Sequence, residues 1–222
     1  MCGRFTLTLD PGDLQEAYPG LVVPGGLTPR FNIAPTQPVA VIPNIGEYRL
    51  DYYVWGLIPS WAKDPEIGSR MINARSETLA EKPAFRNSYR RKRCLVLADG
   101  FYEWKQLEGG KAKQPVYIYM KSRQPFAFAG LWDLWHAPDG SEVRSCTIIT
   151  TQPNELLQSI HNRMPVILPS QAQPVWLDPS EQSPDRLSKF LISYPSDEMM
   201  AHPVSRLVNS PQNDVAECIM PA

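Results

Sequence analysis

Cys94-Leu95-Val96-Leu97-Ala98 runs directly into Asp99-Gly100-Phe101-Tyr102-Glu103-Trp104-Lys105, and this stretch decides the fold. Its first five residues form a continuous apolar run, which is typical of a buried strand. The strand delivers a segment in which Glu103 lies among aromatic residues. Burial there would raise the pKa of the Glu103 carboxyl group and suit it to acid–base chemistry. A glutamate on an exposed strand is the alternative interpretation.

Period-two alternation and turn signals predict further strands on both sides of this run. They cover residues 5–9, 39–42, 48–55, 116–120, 126–131, 144–150, 166–168 and 217–220. The first is expected to be half-buried, because Phe5, Leu7 and Leu9 alternate with two threonines. Short helices are predicted after the capping residues Asp10, Ser76 and Ser183 and over residues 83–89 and 154–159. Since no linker, repeat or composition shift interrupts the chain, we predict a single α+β domain over residues 1–222 with a strand-dominated core.

Composition limits the class of protein. An apolar share of 43% is ample for a packed core, and 20% charged residues suits a soluble surface. The four dispersed cysteines include no CxxC pair, and no HExxH motif or phosphate-binding loop occurs, so we expect no metal and no cofactor. No apolar run approaches the ~20 residues that span a bilayer, and no signal peptide precedes Gly3, so we expect a cytoplasmic protein without membrane contact.

The charge pattern limits any nucleic-acid surface to a local patch, because the net charge is only −1. The densest basic cluster comprises Arg86, Arg90, Arg91, Lys92 and Arg93. It is either such a patch or the solvated C-terminal end of a helix, where positive charge interacts favourably with the helix dipole. Both interpretations stay open.

The start of the chain, Met1-Cys2-Gly3-Arg4, carries the most distinctive chemistry. Removal of Met1, which the small Cys2 side chain should permit, would leave an amine and a thiol on adjacent carbons. The amine titrates near ~7.7–8.0 and the thiol near ~8.5, so both have a reactive fraction at neutral pH. The thiol can attack an acyl carbon, as in N-terminal-nucleophile hydrolases. Alternatively, the amine condenses with an aldehyde and the thiol closes a thiazolidine ring. The third interpretation is a buried Cys2 beside a retained Met1.

Two other places attract attention. The loop over residues 55–65 carries Trp55 and Trp61, which either pack over the core or are exposed for binding. Among the three histidines, His161 is followed by Asn162 and Arg163 shortly before a proline, an unusual setting for a core residue.

Seven segments, in this order, closely resemble the SRAP (SOS response-associated peptidase) family, whose YedK-like and HMCES-like members sense abasic sites in single-stranded DNA. The segments are residues 1–5, 30–35, 55–61, 73–78, 99–105, 161–165 and 202–205. The resemblance extends from Cys2 to about Val208. It implies a mixed α+β fold around a curved, barrel-like β-core flanked by short helices. It also implies a covalent thiazolidine crosslink between Cys2 and the ring-opened abasic site, with possible lyase activity and Cys2-dependent self-processing.

The resemblance implies a role for each matching residue. Cys2 would form the crosslink, and Asn73 would hold the terminal residue and the opened sugar. Glu103 would act as acid and base, and His161 would donate to the sugar oxygen or relay a proton. DNA-binding roles fall on Arg4, Arg75 and Arg163 for phosphates, on Asn32, Pro35 and Trp104 along the path of the strand, and on Trp61 as part of an aromatic wedge. Ala62 stands where some bacterial members have a second Trp, which leaves any preference for duplex junctions open.

Three alternative functions compete with this hypothesis. Class II glutamine amidotransferases also begin Met-Cys-Gly, but they typically need a Gly-rich ligand loop and a longer chain. A peptidase would have little to act on, since only Met1 precedes Cys2. A non-catalytic DNA-binding module is the third. The expected partner is single-stranded DNA that contains abasic sites, and a monomer is enough for the chemistry.

Overall fold

The computed structural model describes residues 2–110 and 112–222, and strands dominate them. These strands are β1 (Phe5–Leu7), β2 (Arg30–Ile33), β3 (Pro38–Pro43), β4 (Asp51–Trp55), β5 (Asn73–Arg75), β6 (Arg93–Ala98), β7 (Gly100–Gln106), β8 (Lys113–Met120), β9 (Phe126–His136), β10 (Glu142–Thr151), β11 (Met164–Pro165), β12 (Ile167–Leu168) and β13 (Met199–Pro203). The α-helices are α1 (Pro11–Ala17), α2 (Arg86–Arg91), α3 (Glu155–Gln158), α4 (Gln173–Leu177) and α5 (Pro184–Ser188). Short 3-10 helices cover Pro65–Arg70, Ser76–Thr78, Ser170–Ala172, Ser196–Glu198, Arg206–Asn209 and Ala216–Ile219. No helix in the described part of the chain has the length and apolar character needed to cross a membrane.

Five strands close into a barrel. β10, β4, β3, β6 and β9 are hydrogen-bonded in that order, and β9 pairs back with β10. The β4–β10 pairing is parallel and the others are antiparallel, so the barrel is mixed. The paired strands β6 and β9 pack closely at Gly130, because a Cβ atom added there would lie 2.8 Å from the Cys94 sulfur. The curved, mixed and barrel-like β-core of a single α+β domain is confirmed.

The stretch from Arg93 to Gln106 joins this barrel to a second sheet. β6 is buried at every residue and belongs to the barrel, whereas β7 belongs to a sheet of order β13–β8–β7–β1–β2. Only Asp99 separates the two strands, and its carboxylate accepts hydrogen bonds from the Thr6 hydroxyl (2.5 Å) and the Thr8 amide (2.6 Å). The predicted strand over residues 94–98 is therefore confirmed, and its continuation fixes where β7 begins.

The second sheet is covered on both faces. On one face Phe5 and Phe101 pack edge-on against Phe128 of the barrel, with ring centroids 5.8 and 5.9 Å apart. On the other face Tyr102 packs in a smaller cluster with Tyr117, Tyr119, Val204, Val208 and Cys218. Because β1 lies between these two layers, the residues that precede it are held inside the protein.

Local signals predicted the helix starts better than the strand limits. Asp10, Asn154 and Ser183 each accept hydrogen bonds from the first turns of α1, α3 and α5, as N-caps do. Ser76 is instead the first residue of a 3-10 helix. The strand from residue 48 begins only at Asp51.

Two predictions about the ends of the chain were wrong. β1 ends at Leu7 and is buried at all three residues, because the barrel covers one face and the C-terminal segment the other. Residues 217–220 form no strand; most of them belong to the 3-10 helix Ala216–Ile219, which buries Cys218. In so short a segment, apolar and polar residues that alternate fit one helical turn as well as a strand.

Candidate active site at the start of the chain

The pairing of β1 with β7 brings Cys2 toward Glu103. Phe5 pairs with Phe101 in antiparallel register, and the Tyr102 amide donates to the Arg4 carbonyl at 2.9 Å. In an antiparallel pair, residues before Phe5 follow β7 in the direction of Glu103. The Cys2 side chain is fully buried, and its sulfur lies 3.8 Å from the Arg4 carbonyl oxygen. Burial raises the pKa of the Cys2 thiol, and the nearby Glu103 carboxylate raises it further.

Asn73 connects the barrel to Cys2. Its Nδ2 donates to the Cys2 carbonyl oxygen at 2.7 Å. β5 holds Asn73 in place through parallel pairing with β10, where Asn73 is opposite Ile148. The Asn73 Oδ1 atom is buried and has no hydrogen-bond partner among the described residues. A buried amide oxygen of this kind is costly unless a ligand or a water molecule completes its bonding.

The environment of Glu103 allows its carboxyl group to act both as an acid and as a base. It lies on the face of β7 that packs toward the barrel, and only 2% of it is exposed. This burial raises the pKa of Glu103 to about 7. At neutral pH the carboxyl group is therefore present in both protonation states, which is the condition for efficient proton transfer in either direction. The predicted burial of Glu103 is confirmed, and the exposed alternative was wrong.

His161 lies in the loop just before β11, which pairs with the same strand, β10, that supports Asn73. The Arg163 amide donates to His161 Nδ1 at 3.0 Å. Burial lowers the pKa of His161 from its ordinary value, so the ring is mostly neutral at pH 7. The same Nδ1 atom lies 3.3 Å from the Arg163 carbonyl oxygen, so the backbone of Arg163 orients the ring.

Arg4, Asn32 and Trp104 form one contact group on the opposite side of β1 and β7. The Arg4 guanidinium donates to Asn32 Oδ1 (2.8 Å) and the Val208 carbonyl (2.9 Å), and it lies 5.9 Å from the centre of the Trp104 ring. Asn32 is fully buried, and its amide donates to three carbonyls of the C-terminal segment, those of Val208, Ser210 and Asn213. Asn32 thus anchors the C-terminal segment beneath the surface, and its expected place along the path of a DNA strand stays a prediction.

Comparison with known families identifies this arrangement. The family model described as SOS response associated peptidase (SRAP) matches residues 1–211. The chain belongs to the SRAP family.

Relatives of this SRAP chain carry informative names. It is 49% identical to the abasic site processing protein YoqW of Bacillus subtilis (strain 168), over 99% of each chain. It is 32% identical to the abasic site processing protein HMCES of Xenopus tropicalis, over 99% of this chain and 78% of that protein. A solved structure of a protein from Bacteroides thetaiotaomicron is 28% identical, covers 100% of both chains and has a TM-score of 0.89.

The remaining predicted DNA-binding residues of this SRAP chain differ in exposure. Arg75 lies two residues after Asn73 on the same face of β5, and its side chain is exposed. Trp61 is 59% exposed and lines a cleft of about 490 Å³ with Arg86 and Asp133. Pro35 is half-buried and precedes Thr36, whose φ of 69° makes a tight bend. Direct contact of these residues with DNA stays a prediction.

Arg163 is placed differently from the other predicted phosphate-binding residues. Its guanidinium donates to both Glu77 carboxylate oxygens, at 2.5 and 2.9 Å, and to the Thr150 carbonyl at 2.6 Å. Both Nη atoms are thus bonded, whereas Nε has no partner among the described residues, and contact of Arg163 with a phosphate stays a prediction. Glu77 lies in the same Asn-Ala-Arg-Ser-Glu-Thr segment as Asn73, and no role was predicted for it.

The arrangement offers no obvious place for a metal. Within residues 2–110 and 112–222, no group of three or more His, Cys, Asp or Glu side chains is suitable to hold a metal ion. The four cysteines are free and buried. The groups that converge at Cys2 are instead those of proton transfer and hydrogen bonding.

Proposed function

We propose that this chain processes abasic sites in single-stranded DNA by a covalent thiazolidine crosslink through Cys2, after removal of Met1. The names of its SRAP relatives support the general activity. One observation supports the chemistry: Asn73 holds the Cys2 carbonyl at 2.7 Å while a buried Glu103, whose pKa is raised to about 7 by burial, lies within electrostatic reach of the Cys2 thiol. Such a pair fixes the terminal residue and provides its proton donor and acceptor.

The proposed reaction leaves Glu103 in the protonation state in which it began. The terminal amine attacks the aldehyde carbon of the ring-opened sugar and forms a carbinolamine. Protonated Glu103 then donates a proton to the hydroxyl group, which leaves as water, and a protonated imine remains. The Cys2 sulfur attacks the imine carbon, and the thiol proton passes to the Glu103 carboxylate. The product is a five-membered ring that contains the nitrogen and the sulfur, and the net release is one water molecule.

The thiol environment favours this order of events over hydrolysis. A cysteine that attacks an acyl group first needs a lowered pKa or a base that is bonded to it. Burial raises the pKa of the Cys2 thiol, which donates to the Arg4 carbonyl oxygen. In the proposed route the amine reacts first, so sulfur need attack only an electrophilic imine that is already held beside it. The amidotransferase alternative gains no comparable support, and Cys2-dependent lyase and self-processing activities stay part of the proposal.

DNA binding in this proposal relies on shape and charge rather than on sequence. Arg75 and Arg4 would contact phosphates, while Trp61 and Trp104 would stack on bases. Binding to undamaged single strands should therefore be weak, salt-sensitive and independent of sequence. We propose that a monomer suffices and that the protein works in the cytoplasm on nucleoid DNA.

A Cys2→Ala variant distinguishes the role of the terminal amine from that of the Cys2 thiol. Cys2→Ala keeps the amine, provided that Met1 is still removed, but it lacks the sulfur that closes the ring. It should yield an imine that borohydride traps and should nick abasic strands by β-elimination, with no heat-stable adduct on a denaturing gel. Wild type should give the heat-stable adduct and little nicking.

Two controls make the result specific. Cys146→Ala removes another buried free thiol, one that lies in the barrel, and should keep the adduct. A variant with a residue retained before Cys2 should lose both outcomes, because its nitrogen is an amide. A heat-stable adduct from that blocked protein would exclude the thiazolidine, and release of ammonia from glutamine by wild type would favour the amidotransferase instead.

A further inference from the structure

We infer that Asp133 is a positioning residue for DNA binding, which fixes the loop that carries Trp61 and so holds the exposed ring ready to stack on a base of the bound strand. This loop, the Trp61 loop, comprises residues 56–62. The inference rests on the proposed function, in which Trp61 stacks on a DNA base. It gives a role to a buried carboxylate that the proposed reaction does not use.

Trp61 combines a large exposed ring with a place beside a cleft. Its exposed fraction is 59%, whereas Trp55, one residue before the Trp61 loop, is fully buried. The cleft of about 490 Å³ is also lined by Arg86 and Asn87, and both are exposed. A flat aromatic surface next to a guanidinium group suits a nucleobase and its phosphate. Single exposed aromatic residues are common, however, so the argument depends on how the ring is held.

Two amides of the Trp61 loop bond to neighbouring side chains of the barrel. The Ile58 amide donates to the Ser145 hydroxyl oxygen at 2.8 Å, and the Ser60 amide donates to Asp133 Oδ2 at the same distance. Ser145 and Asp133 are paired residues of β10 and β9, so their side chains lie side by side on the barrel. The Trp61 loop is therefore tied to the barrel as far as the residue just before Trp61.

A second tie follows directly after Trp61. The Trp135 indole donates to the Ala62 carbonyl oxygen at 2.7 Å. Asp133 and Trp135 are two positions apart on β9, so both project from the same face of that strand. The Ala62 amide also donates to the Pro59 carbonyl oxygen at 2.8 Å, which closes a tight turn. The backbone on both sides of Trp61 is thus fixed, and the ring is left outside.

Asp133 can be buried because Lys92 is paired with it. The Asp133 side chain is only 5% exposed, and the Lys92 ammonium group lies 2.5 Å from Oδ1. An unpaired carboxylate in this position would be costly. The pair also divides the basic cluster that the sequence contains, because Lys92 is turned toward Asp133 and Arg93 is buried. The members that stay exposed are Arg86, Arg90 and Arg91.

A fixed loop lowers the cost of binding DNA. A mobile side chain loses conformational entropy when it is ordered against a ligand, and a side chain whose backbone is already fixed loses less. Asp133 bonds to the Ser60 amide, to Lys92 and to the amide that follows it. Its removal should therefore reduce affinity for the strand and leave the chemistry at Cys2 unchanged.

Equilibrium binding to an undamaged single-stranded oligothymidine tests the inference without any crosslinking. Trp61→Ala should weaken binding about fivefold or more, which corresponds to the loss of one stacked base. Asp133→Ala should weaken it about two- to tenfold, because the ring must then be ordered on binding. Asp133→Asn removes the same charge but keeps an acceptor for the Ser60 amide, so it should recover most of the affinity. Wild-type affinity in Asp133→Ala would overturn the inference.

A matched control and a second variant make this result specific. Asp51 also accepts from the amide that follows it and from a basic side chain of the barrel, Arg144, so Asp51→Ala should bind like wild type. If urea unfolding shows that Asp133→Ala does not fold, the double change Asp133→Leu with Lys92→Met replaces the ion pair by apolar side chains, which folds tolerate well. It lacks the acceptor for the Ser60 amide and should lose affinity by the same factor.

The Trp61→Ala background decides whether Asp133 acts through the ring. Adding Asp133→Ala there should weaken binding no further, because the ring that it positions is already absent. If the double variant loses the full additional factor, Asp133 acts on another DNA contact and the inference is wrong.

Single-turnover crosslinking to abasic single-stranded DNA separates affinity from chemistry. In Asp133→Ala the protein concentration that gives half the maximal rate should rise by the factor found for binding, while the maximal rate stays within about twofold of wild type. A fall in the maximal rate at an unchanged half-saturating concentration would contradict a role in binding. If wild type binds undamaged strands but forms no adduct, the covalent part of the proposed function is wrong, and the binding data still decide the inference.

A spectroscopic measurement observes the positioning in the free protein. Incorporated 5-fluorotryptophan gives one ¹⁹F signal for each of the six tryptophans, and the Trp61 signal is the one that Trp61→Phe lacks. Wild type should give a single narrow Trp61 line. Asp133→Ala should shift and broaden that line, because the Trp61 loop exchanges between conformations. An identical line in folded Asp133→Ala would show that Asp133 does not hold the ring, and it would overturn the inference.

Discussion

Two arginines buried in different regions of this protein show how its core and its active site differ. Arg93 opens the barrel strand β6 and is fully buried. Its five N–H groups all donate to backbone carbonyls, those of Tyr89, Arg90, Trp176, Asp178 and Glu181. Several of these carbonyls belong to the ends of α2 and α4, where helices leave acceptors unsatisfied. The Arg93 guanidinium therefore caps the C-terminal ends of both helices.

Arg163 is almost as buried, but its guanidinium is not fully hydrogen-bonded. Its Nε atom has no hydrogen-bond partner among the described residues, and the same holds for Asn73 Oδ1, for Arg4 Nε and for the hydroxyl groups of Tyr53 and Thr147 in the barrel. Every N–H of Arg93 is bonded, whereas Asn73, which holds Cys2, keeps a buried acceptor without a partner. A buried polar atom without a partner destabilises a fold, so a ligand or a water molecule that bonds to Asn73 Oδ1 would recover part of this cost.

The largest effect expected from this comparison is on stability at Arg93. Arg93→Ala leaves five carbonyls without their donor and opens a cavity, so the free energy of unfolding should fall by about 3–5 kcal/mol. Urea denaturation measures the loss, and Arg90→Ala, at an exposed position, serves as the control. Folded Arg93→Ala protein should still form the adduct at the wild-type rate. A stability loss below about 1 kcal/mol would mean that water replaces the guanidinium and that the contrast between the two regions is false.

A change of opposite sign is expected at Glu103. Its folded-state pKa of about 7 lies above the ordinary value of 4.5, so protonated Glu103 favours the folded state. This contribution is complete below pH 4.5 and is lost as the pH rises through 7. Glu103→Gln should therefore raise the free energy of unfolding above pH 7, by on the order of 1–3 kcal/mol, while it slows adduct formation.

Unfolding at pH 5, 7 and 8.5 measures this difference. The two proteins should be closest in stability at low pH and should diverge as Glu103 ionises. The rate of adduct formation by wild type should also depend on a group that titrates near pH 7, and Glu103→Gln should lack that dependence. A pH–rate profile that is the same in both proteins contradicts the acid–base role.

The parts of this structure that sequence could predict are those with local causes. The apolar run before Asp99 predicted a buried strand, and Asp10, Asn154 and Ser183 marked helix starts, because caps bond to amides two or three residues away. The aminothiol of Cys2 and the aromatic setting of Glu103 suggested their chemistry from neighbouring residues alone.

The parts that could not be predicted depend on distant partners. Arg93 belonged to a basic cluster that suggested a surface, but its acceptors at residues 176–181 lie more than 80 positions later. Asn32 is likewise buried by carbonyls of residues 208–213. Closure of the barrel depends on the parallel pairing of β4 with β10, which no local pattern records. The ion pair of Arg163 joins it to Glu77, 86 residues earlier, a contact that no local pattern around Arg163 could predict.

The smallest expected effect on stability, and the sharpest contrast with Arg93, is at Asn73. Asn73→Ala loses the bond to the Cys2 carbonyl but also removes the buried Oδ1 that has no partner, so the two changes should largely cancel. We expect the free energy of unfolding to change by less than about 1 kcal/mol, while adduct formation slows by roughly 10- to 100-fold because Cys2 is no longer held in place. Urea denaturation and single-turnover crosslinking on the same preparation measure both quantities.

Asn73→Asp cannot donate to the Cys2 carbonyl and would place a second carboxylate near Glu103, so its rate should be no better than that of Asn73→Ala. If Asn73→Ala instead loses as much stability as Arg93→Ala and keeps its rate, Asn73 is a structural tie like Arg93, and the unpartnered oxygen has no functional meaning.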